Sequence, residues 1–401
     1  MQISRWAAVM VLACSAFAMV TSEFAPIGLL SQISADLGSD AASVGWSVTL
    51  YAWLGALCGL LSPRLHAHVP RRALLTGLML TLAGSNAAVA VAPNFAGFGL
   101  ARAVGAVAHG LFWASVAASA AQLVPARRVG LATSLVFGGI TVATVLGVPL
   151  INLLGQGYGW RSGFAGLAGL CVLMALGVGV LMPRAAVTAQ ATPARMVEVL
   201  LRRDLLPVYA ITALTAAAHF CAFTFIEPYI SLVRGISAFE VAALLFGFGL
   251  AGLAGNLLTA WLIDRHLQAT LLVAMITMCL ALLALGGGGP AMGLVPVSML
   301  LVLWGVAIAM LFAGLQAYVL QVAGSATLVA AALHTAVLNM AIGVGAIIGG
   351  LALGTWHLGS AMLPAALIAL PAVYLLRRLA VRNPLPVGAD LSANSAPRSA
   401  R

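Results

Sequence analysis

The chain has 401 residues, 63% of them hydrophobic and only 7% charged, and its net charge of +10 is carried on arginine with no lysine. A soluble domain carries roughly 25% charged residues, so the sequence lacks the polar surface of a water-soluble fold and reads as a polytopic membrane protein. The basic balance does not require nucleic acid, because the arginines follow membrane topology.

The first apolar run, roughly residues 6–30, follows a single Arg and could open a secretory signal. It continues to Leu30 without a small-residue cleavage site, so we read a retained span. Further apolar runs follow at roughly 44–63, 72–91, 96–122, 130–153 and 161–182. A more polar stretch from Pro183 to Pro207 then intervenes. Six more runs lie at roughly 207–232, 240–263, 268–287, 292–318, 327–351 and 358–377. Each reaches the roughly 20 residues that cross a bilayer as helix, and helix is the open-chain form that satisfies its own backbone in hydrocarbon. The expected organisation is a six-helix bundle over 1–182, a cytoplasmic linker over 183–206, a second bundle over 207–378 and a disordered cytoplasmic tail over 379–401.

Placing the N-terminus in the cytoplasm and alternating puts 16 of the 19 arginines inside. Only Arg161 and Arg234 fall outside, and Arg102 lies within a span. This bias predicts twelve spans with both termini cytoplasmic. Cys14, Cys58, Cys171, Cys221 and Cys279 are scattered through apolar runs without metal or disulfide spacing, so they read as small buried hydrophobes.

The two halves repeat. SEFAPIGLL, Ser22 to Leu30, and TFIEPYISL, Thr224 to Leu232, each embed a Glu followed closely by Pro in the first span of a half. Six plus six spans in parallel repeat is a transporter plan, with substrate near the midplane between the halves.

These residues resemble the major facilitator superfamily, in its twelve-span drug:proton antiporter branch, and most closely bacterial sugar efflux transporters. The resemblance rests on TSEFAPIGLLSQI, TLYAW (Thr49 to Trp53), AHGLFWAS (Ala108 to Ser115), VLGVPL, GWRSGF and AHFCAFTFIEPYI (Ala218 to Ile230). GLQAYVL and LNMAIGVGA carry it into the last spans. The family's loop motif after span 2 keeps Gly59, Arg64, Arg71 and Arg72, but Pro63 stands where Asp is usual. Its second copy keeps Gly255, Asp264 and Arg265. The resemblance implies gating roles for these residues, and for Gly147 and Pro149 of the exporter-type Gly-Pro motif.

An ionisable group inside a span costs at least ~2.5 kcal/mol, which makes it a functional candidate by default. Glu23 and Glu227 are therefore proton-coupling candidates. Arg102 falls at a depth similar to Glu23, so a Glu23–Arg102 contact is expected. His109 is seven residues beyond Arg102 on the same face of span 4. It joins the proton-coupling set, as does His219 on span 7, and His334 on span 11 is a weaker candidate. A sugar needs hydrogen-bonding groups and flat rings. Tyr51, Trp53, Trp113, Phe220, Tyr229, Gln316, Tyr318 and Asn339 could supply them. No nucleotide-binding GxxxxGK[ST] motif is present. The expectation is a non-enzyme that uses no cofactor and is driven by the proton gradient: a monomer of the bacterial inner membrane that exports small sugars or related metabolites. Drug efflux of the chloramphenicol type, and a non-transporting membrane sensor, stay open as alternatives.

Overall fold

The computed structural model describes residues 2–66, 69–125, 128–183, 196–355 and 361–382. These residues are helical with short connections, and none of them is in a strand. Twelve helices among them are long and apolar enough to cross a membrane. The helical fold read from apolar length is therefore observed, and the protein is a multi-pass membrane protein.

The chain runs α1 (Gln2–Gly28), α2 (Leu30–Asp36), α3 (Ala41–His66), α4 (Arg71–Ala90) and α5 (Phe95–Leu123). Next come α6 (Val129–Val142), a π turn (Ala143–Gly147), α7 (Val148–Tyr158) and α8 (Trp160–Leu181). Then follow α9 (Met196–Leu200), α10 (Leu206–Phe223), α11 (Ile226–Ser231) and α12 (Ala238–Gly288). The last three are α13 (Leu294–Ala323), α14 (Thr327–Thr355) and α15 (Met362–Arg382). α12 holds two spans, because His266 leaves helical geometry at φ −142° and ψ 36° and turns the chain back.

Local chemistry sets the ends. The Asn94 side chain caps α5 by accepting from Gly97 N–H, and Ser237 with Glu240 forms a capping box at the start of α12. Gly159, at φ 79°, makes the turn from α7 to α8 in a conformation that other residues rarely adopt.

Helices α1–α8 pack on one another, with α1 against α6 and α8, α4 against α5 and α8, and α3 against α5. Helices α10–α15 do the same through α12 with α13 and α15, and α10 with α14 and α15. These groups are the N-half and C-half below. They meet where α3 lies along α14, where α7 and the π turn lie along α12, and where α11 touches α1 and α2.

The end of the bundle remote from the N-terminus is the far end, and it is stapled within the N-half. Trp160 Nε1 and Arg161 both donate to Asp36, Arg161 Nη2 donates to the Ala92 carbonyl at 2.9 Å, and the guanidinium lies over the Trp160 ring. The hydrogen bond from Arg161 holds the Asp36 carboxyl below its ordinary range. This is the structural work of the GWRSGF segment.

The expected tail and linker differ in detail. α15 continues through Arg382, past the expected boundary at 378, because RRLAVR keeps good helix formers at its end. The linker contains α9, whose Val199 is buried. Residues 184–195 and those beyond 382 lie outside the described residues.

Candidate functional site

The site begins with a missing hydrogen-bond donor. Pro26 sits inside α1 and has no N–H, so the Ser22 carbonyl loses its helical partner, and the ring crowds the turn below. In hydrocarbon such a carbonyl needs another donor. Arg102 of α5 supplies it: Nη1 donates to Ser22 O at 2.6 Å and Nη2 to Glu23 O at 2.9 Å. The fork of the guanidinium matches two adjacent carbonyls. Its other face rests on Tyr51 of α3, 4.0 Å from the ring centre. Arg102 is 1% exposed.

The expected Glu23–Arg102 contact is present, made to the main chain of Glu23 rather than to its carboxylate. Arg102 grips the main chain of Glu23, and the carboxylate turns to His109, whose Nε2 stands 3.5 Å from Oε2. Both side chains are less than one-tenth exposed. Tyr51 packs edge-on against His109 at 5.3 Å, and Trp113 follows at 6.0 Å. A carboxylate and an imidazole at this distance, in apolar walls, can hold one proton between them. Arg102 provides a fixed positive charge beside the pair.

Supporting polar groups line the N-half. Ser22 Oγ donates to Asn86 Oδ1 at 2.8 Å, and Ser85 Oγ donates to Ala101 O at 2.7 Å. Sequence reasoning missed Ser22 and Asn86. The available signal was a polar side chain embedded in an apolar span.

Glu227 is placed differently from its repeat partner Glu23. It lies in α11 at the far end and accepts from Ser31 N–H at 3.0 Å and Ser31 Oγ at 2.8 Å, across the two halves. His219 of α10 is enclosed by rings: Phe223 stacks on it at 4.8 Å, and Phe220, Trp304 and Phe312 meet it at 4.8, 5.4 and 5.7 Å. Phe24 of α1 touches this cluster through Phe220 at 5.7 Å. His334 is bonded to Thr212 Oγ1 at 3.0 Å.

The expected substrate contacts scatter. Tyr51 is buried beneath Arg102, and Tyr229 donates from its hydroxyl to Leu285 O at 2.8 Å within the C-half. The buried Tyr318 hydroxyl accepts from Gln268 Nε2 at 3.3 Å. Phe220 is buried in the ring cluster. Trp113 is half-buried and stacks on Phe137 at 5.9 Å. Gln316 and Asn339 are half-buried, and Asn339 Nδ2 donates to Thr335 O at 3.0 Å. Trp53 donates from Nε1 to Met340 O of the C-half at 3.0 Å. It lies on the exposed stripe Trp46, Leu50, Trp53, Leu57, which runs to the closed far end of α3. Trp53 therefore sits on the exposed edge of the α3–α14 seam between the halves, with Gly343 of α14 also against its indole.

Of the expected gating residues, Gly147 closes the π turn against Thr21 of α1, and Pro149 opens α7. Gly59 faces the Gly110 carbonyl, and Gly255 packs on the Val306 carbonyl of α13. Arg71 and Arg72 are half-buried at the start of α4. The side chains of Arg64, Asp264 and Arg265 lie outside the described residues.

The hydrogen bonds between halves lie in the far half or near the middle of the bundle among the described residues. Besides those of Glu227 and Trp53, Thr49 Oγ1 donates to Gly343 O at 3.0 Å and Gln156 Nε2 to Ala238 O at 3.2 Å. The bundle is closed at its far end.

A family model described as Major Facilitator Superfamily matches residues 12–350. A bacterial homologue of the human lysosomal transporter Spinster, inward-facing and occupied, superposes with TM-score 0.74 at 14% identity, over 93% of this chain and 96% of that one. The nucleoside transporter NupG gives 0.73 at 14% identity, over 93% and 98%. The partially occluded, inward-open xylose transporter XylE from E. coli gives 0.71 at 14% identity, over 93% and 97%.

Proposed function

The chain belongs to the Major Facilitator Superfamily, and from that membership we propose that it is a proton-coupled antiporter that exports small sugars or related neutral metabolites by alternating access. Members of this family are transporters rather than enzymes. A small-molecule substrate and a lipid bilayer follow from the membership.

The observation that carries the proton coupling is the Glu23–His109 pair, 3.5 Å apart and enclosed in the N-half. A transporter has reason to bury an ionisable pair where a neutral one would be cheaper, because loading and unloading a proton changes which packing is preferred. With both termini cytoplasmic, the far end is the outer side, and closure there corresponds to an inward-facing state. A solute would enter between the halves from the cytoplasm. Proton arrival at Glu23 and His109 would accompany its release outside. The protein works as two six-helix bundles, as a monomer, in the bacterial inner membrane.

The ring cluster around His219 favours a second reading of the substrate. Five aromatic side chains within 6.3 Å of that imidazole suit a flat apolar solute, as in chloramphenicol-type efflux.

The test is substrate-induced proton movement in proteoliposomes carrying a pH dye, comparing wild type with Glu23→Gln. Arabinose, a thiogalactoside, a purine nucleoside and chloramphenicol are tried side by side. A sugar response that disappears in Glu23→Gln supports the reading. A response to chloramphenicol alone transfers the protein to drug export, and a sugar response unchanged by the substitution removes Glu23 from the coupling.

A further inference from the structure

The two Glu-Pro elements of the repeat do different work. α10 ends at Phe223, and Phe225 departs from helical geometry at φ −113° and ψ 20° before α11 begins at Ile226. Pro228, in the first turn of α11, has no N–H for the turn before it. This break carries two consecutive side-chain contacts across to the N-half.

Phe225 fills a notch without side chains. A Cβ at Gly45 of α3 would lie 2.7 Å from its Cζ, and one at Gly349 of α14 would lie 2.7 Å from its Cε2. Phe225 is 1% exposed and belongs to the far-end apolar cluster built from Leu29, Ile33, Phe98 and Trp160 of the other half. Two residues on, the Glu227 carboxylate collects donors only: Ser31 N–H at 3.0 Å, Ser31 Oγ at 2.8 Å and Ser231 Oγ at 3.3 Å. It has no salt-bridge partner among the described residues. An acceptor-only group facing three donors is a matched set, and two of the three come from the opposite half, 196 residues away in sequence.

We propose that Phe225 and Glu227 form a two-part latch that holds the far end closed, with Gly45 and Ser31 as its keepers. The ring gives the contact its shape, and the carboxylate gives it direction. Both contacts join surfaces that must separate whenever the far end opens, so the latch is made and broken once per cycle. Glu23, by contrast, stays inside one half in either state. The proposal rests on alternating access between the halves and is independent of substrate identity and of the proton.

Hydrogen–deuterium exchange of the full chain in lipid nanodiscs tests it, with neither solute nor proton gradient present. Backbone exchange reads local opening. Glu227→Gln leaves one amide oxygen for the Ser31 donors and removes the charge that strengthens those bonds, and Ser31→Ala removes the hydroxyl donor. Each is expected to speed exchange at least fivefold in peptides covering residues 28–40 and 224–240, as loss of a charged hydrogen bond implies. Peptides covering 110–123 and 310–323, toward the other end, should be unchanged. Unaltered far-end exchange in both variants overturns the latch. Faster exchange throughout Glu227→Gln, with Ser31→Ala like wild type, also overturns it and assigns Glu227 to folding. Failure of the proton-movement assay leaves this outcome untouched, so the two proposals fail separately.

Discussion

Glu23 and His109 share a contact of 3.5 Å, while the nearest permanent charge, Arg102, is bound to the main chain of Glu23 instead of its carboxylate. The acid and the imidazole therefore face each other, with the Met19 main chain as a further partner of the imidazole. If they act as one proton-holding unit, removing either should have nearly the whole effect. His109→Gln is expected to reduce solute-driven proton movement at least tenfold, and Glu23→Gln with His109→Gln should be no worse than either alone. Losses that multiply in the double variant would mean two independent sites. Proteoliposome assays with matched protein content make the comparison.

Arg102 serves the helix break at Pro26. Arg102→Ala leaves the Ser22 and Glu23 carbonyls without its donors in an apolar interior, at about 1–3 kcal/mol each. The thermal midpoint in detergent should fall by about 5 °C or more. Arg102→Lys keeps the charge but not the fork that reaches both carbonyls, so it should recover less than half of the loss. Full recovery by Lys would show that charge alone suffices.

The far-end staple is pH-sensitive. The Asp36 carboxyl is held below its ordinary range by Arg161, with Trp160 adding a further hydrogen bond. A depressed acid stabilises the fold above its unfolded pKa of about 4, and that contribution is lost as pH falls through the lower folded value. Between pH 5 and pH 3, the thermal midpoint of wild type should therefore drop further than that of Asp36→Asn. Equal slopes for the two proteins would exclude the staple as a source of acid sensitivity.

The tyrosines and Trp53 separate solute contact from architecture. Tyr229 bonds Leu285 O inside the C-half, and Trp53 bonds Met340 O at the α3–α14 seam between the halves. Tyr229→Phe should lower stability by about 1 kcal/mol and change the KM for transported solute less than twofold. Trp53→Phe should likewise leave KM within twofold. A tenfold rise in KM for either variant would return that residue to the solute path.

Much of the fold was legible before any coordinates. Apolar length and arginine bias give twelve spans because hydrocarbon admits few backbone solutions. Glu23, Arg102 and His109 stood out because burying such groups is costly. Their partners were not legible. Periodicity places Arg102 and His109 on one face of α5, but it does not say which neighbouring helix that face meets or how that helix is rotated. Pro26 announces a lost donor, and only the packing of α5 on α1 brings the Arg102 fork to the freed carbonyl.

The repeat shows the same division. From sequence, Glu23 and Glu227 look equivalent, each beside a proline in the first span of a half. In the structure one faces a histidine within its own half, and the other reaches a serine of the opposite half. What the sequence by itself determined is membrane residence, helix number and the set of costly buried groups, since these depend on local composition and length. What only the tertiary structure decided is the pairing of those groups, because a hydrogen bond between residues 196 apart depends on how two bundles dock.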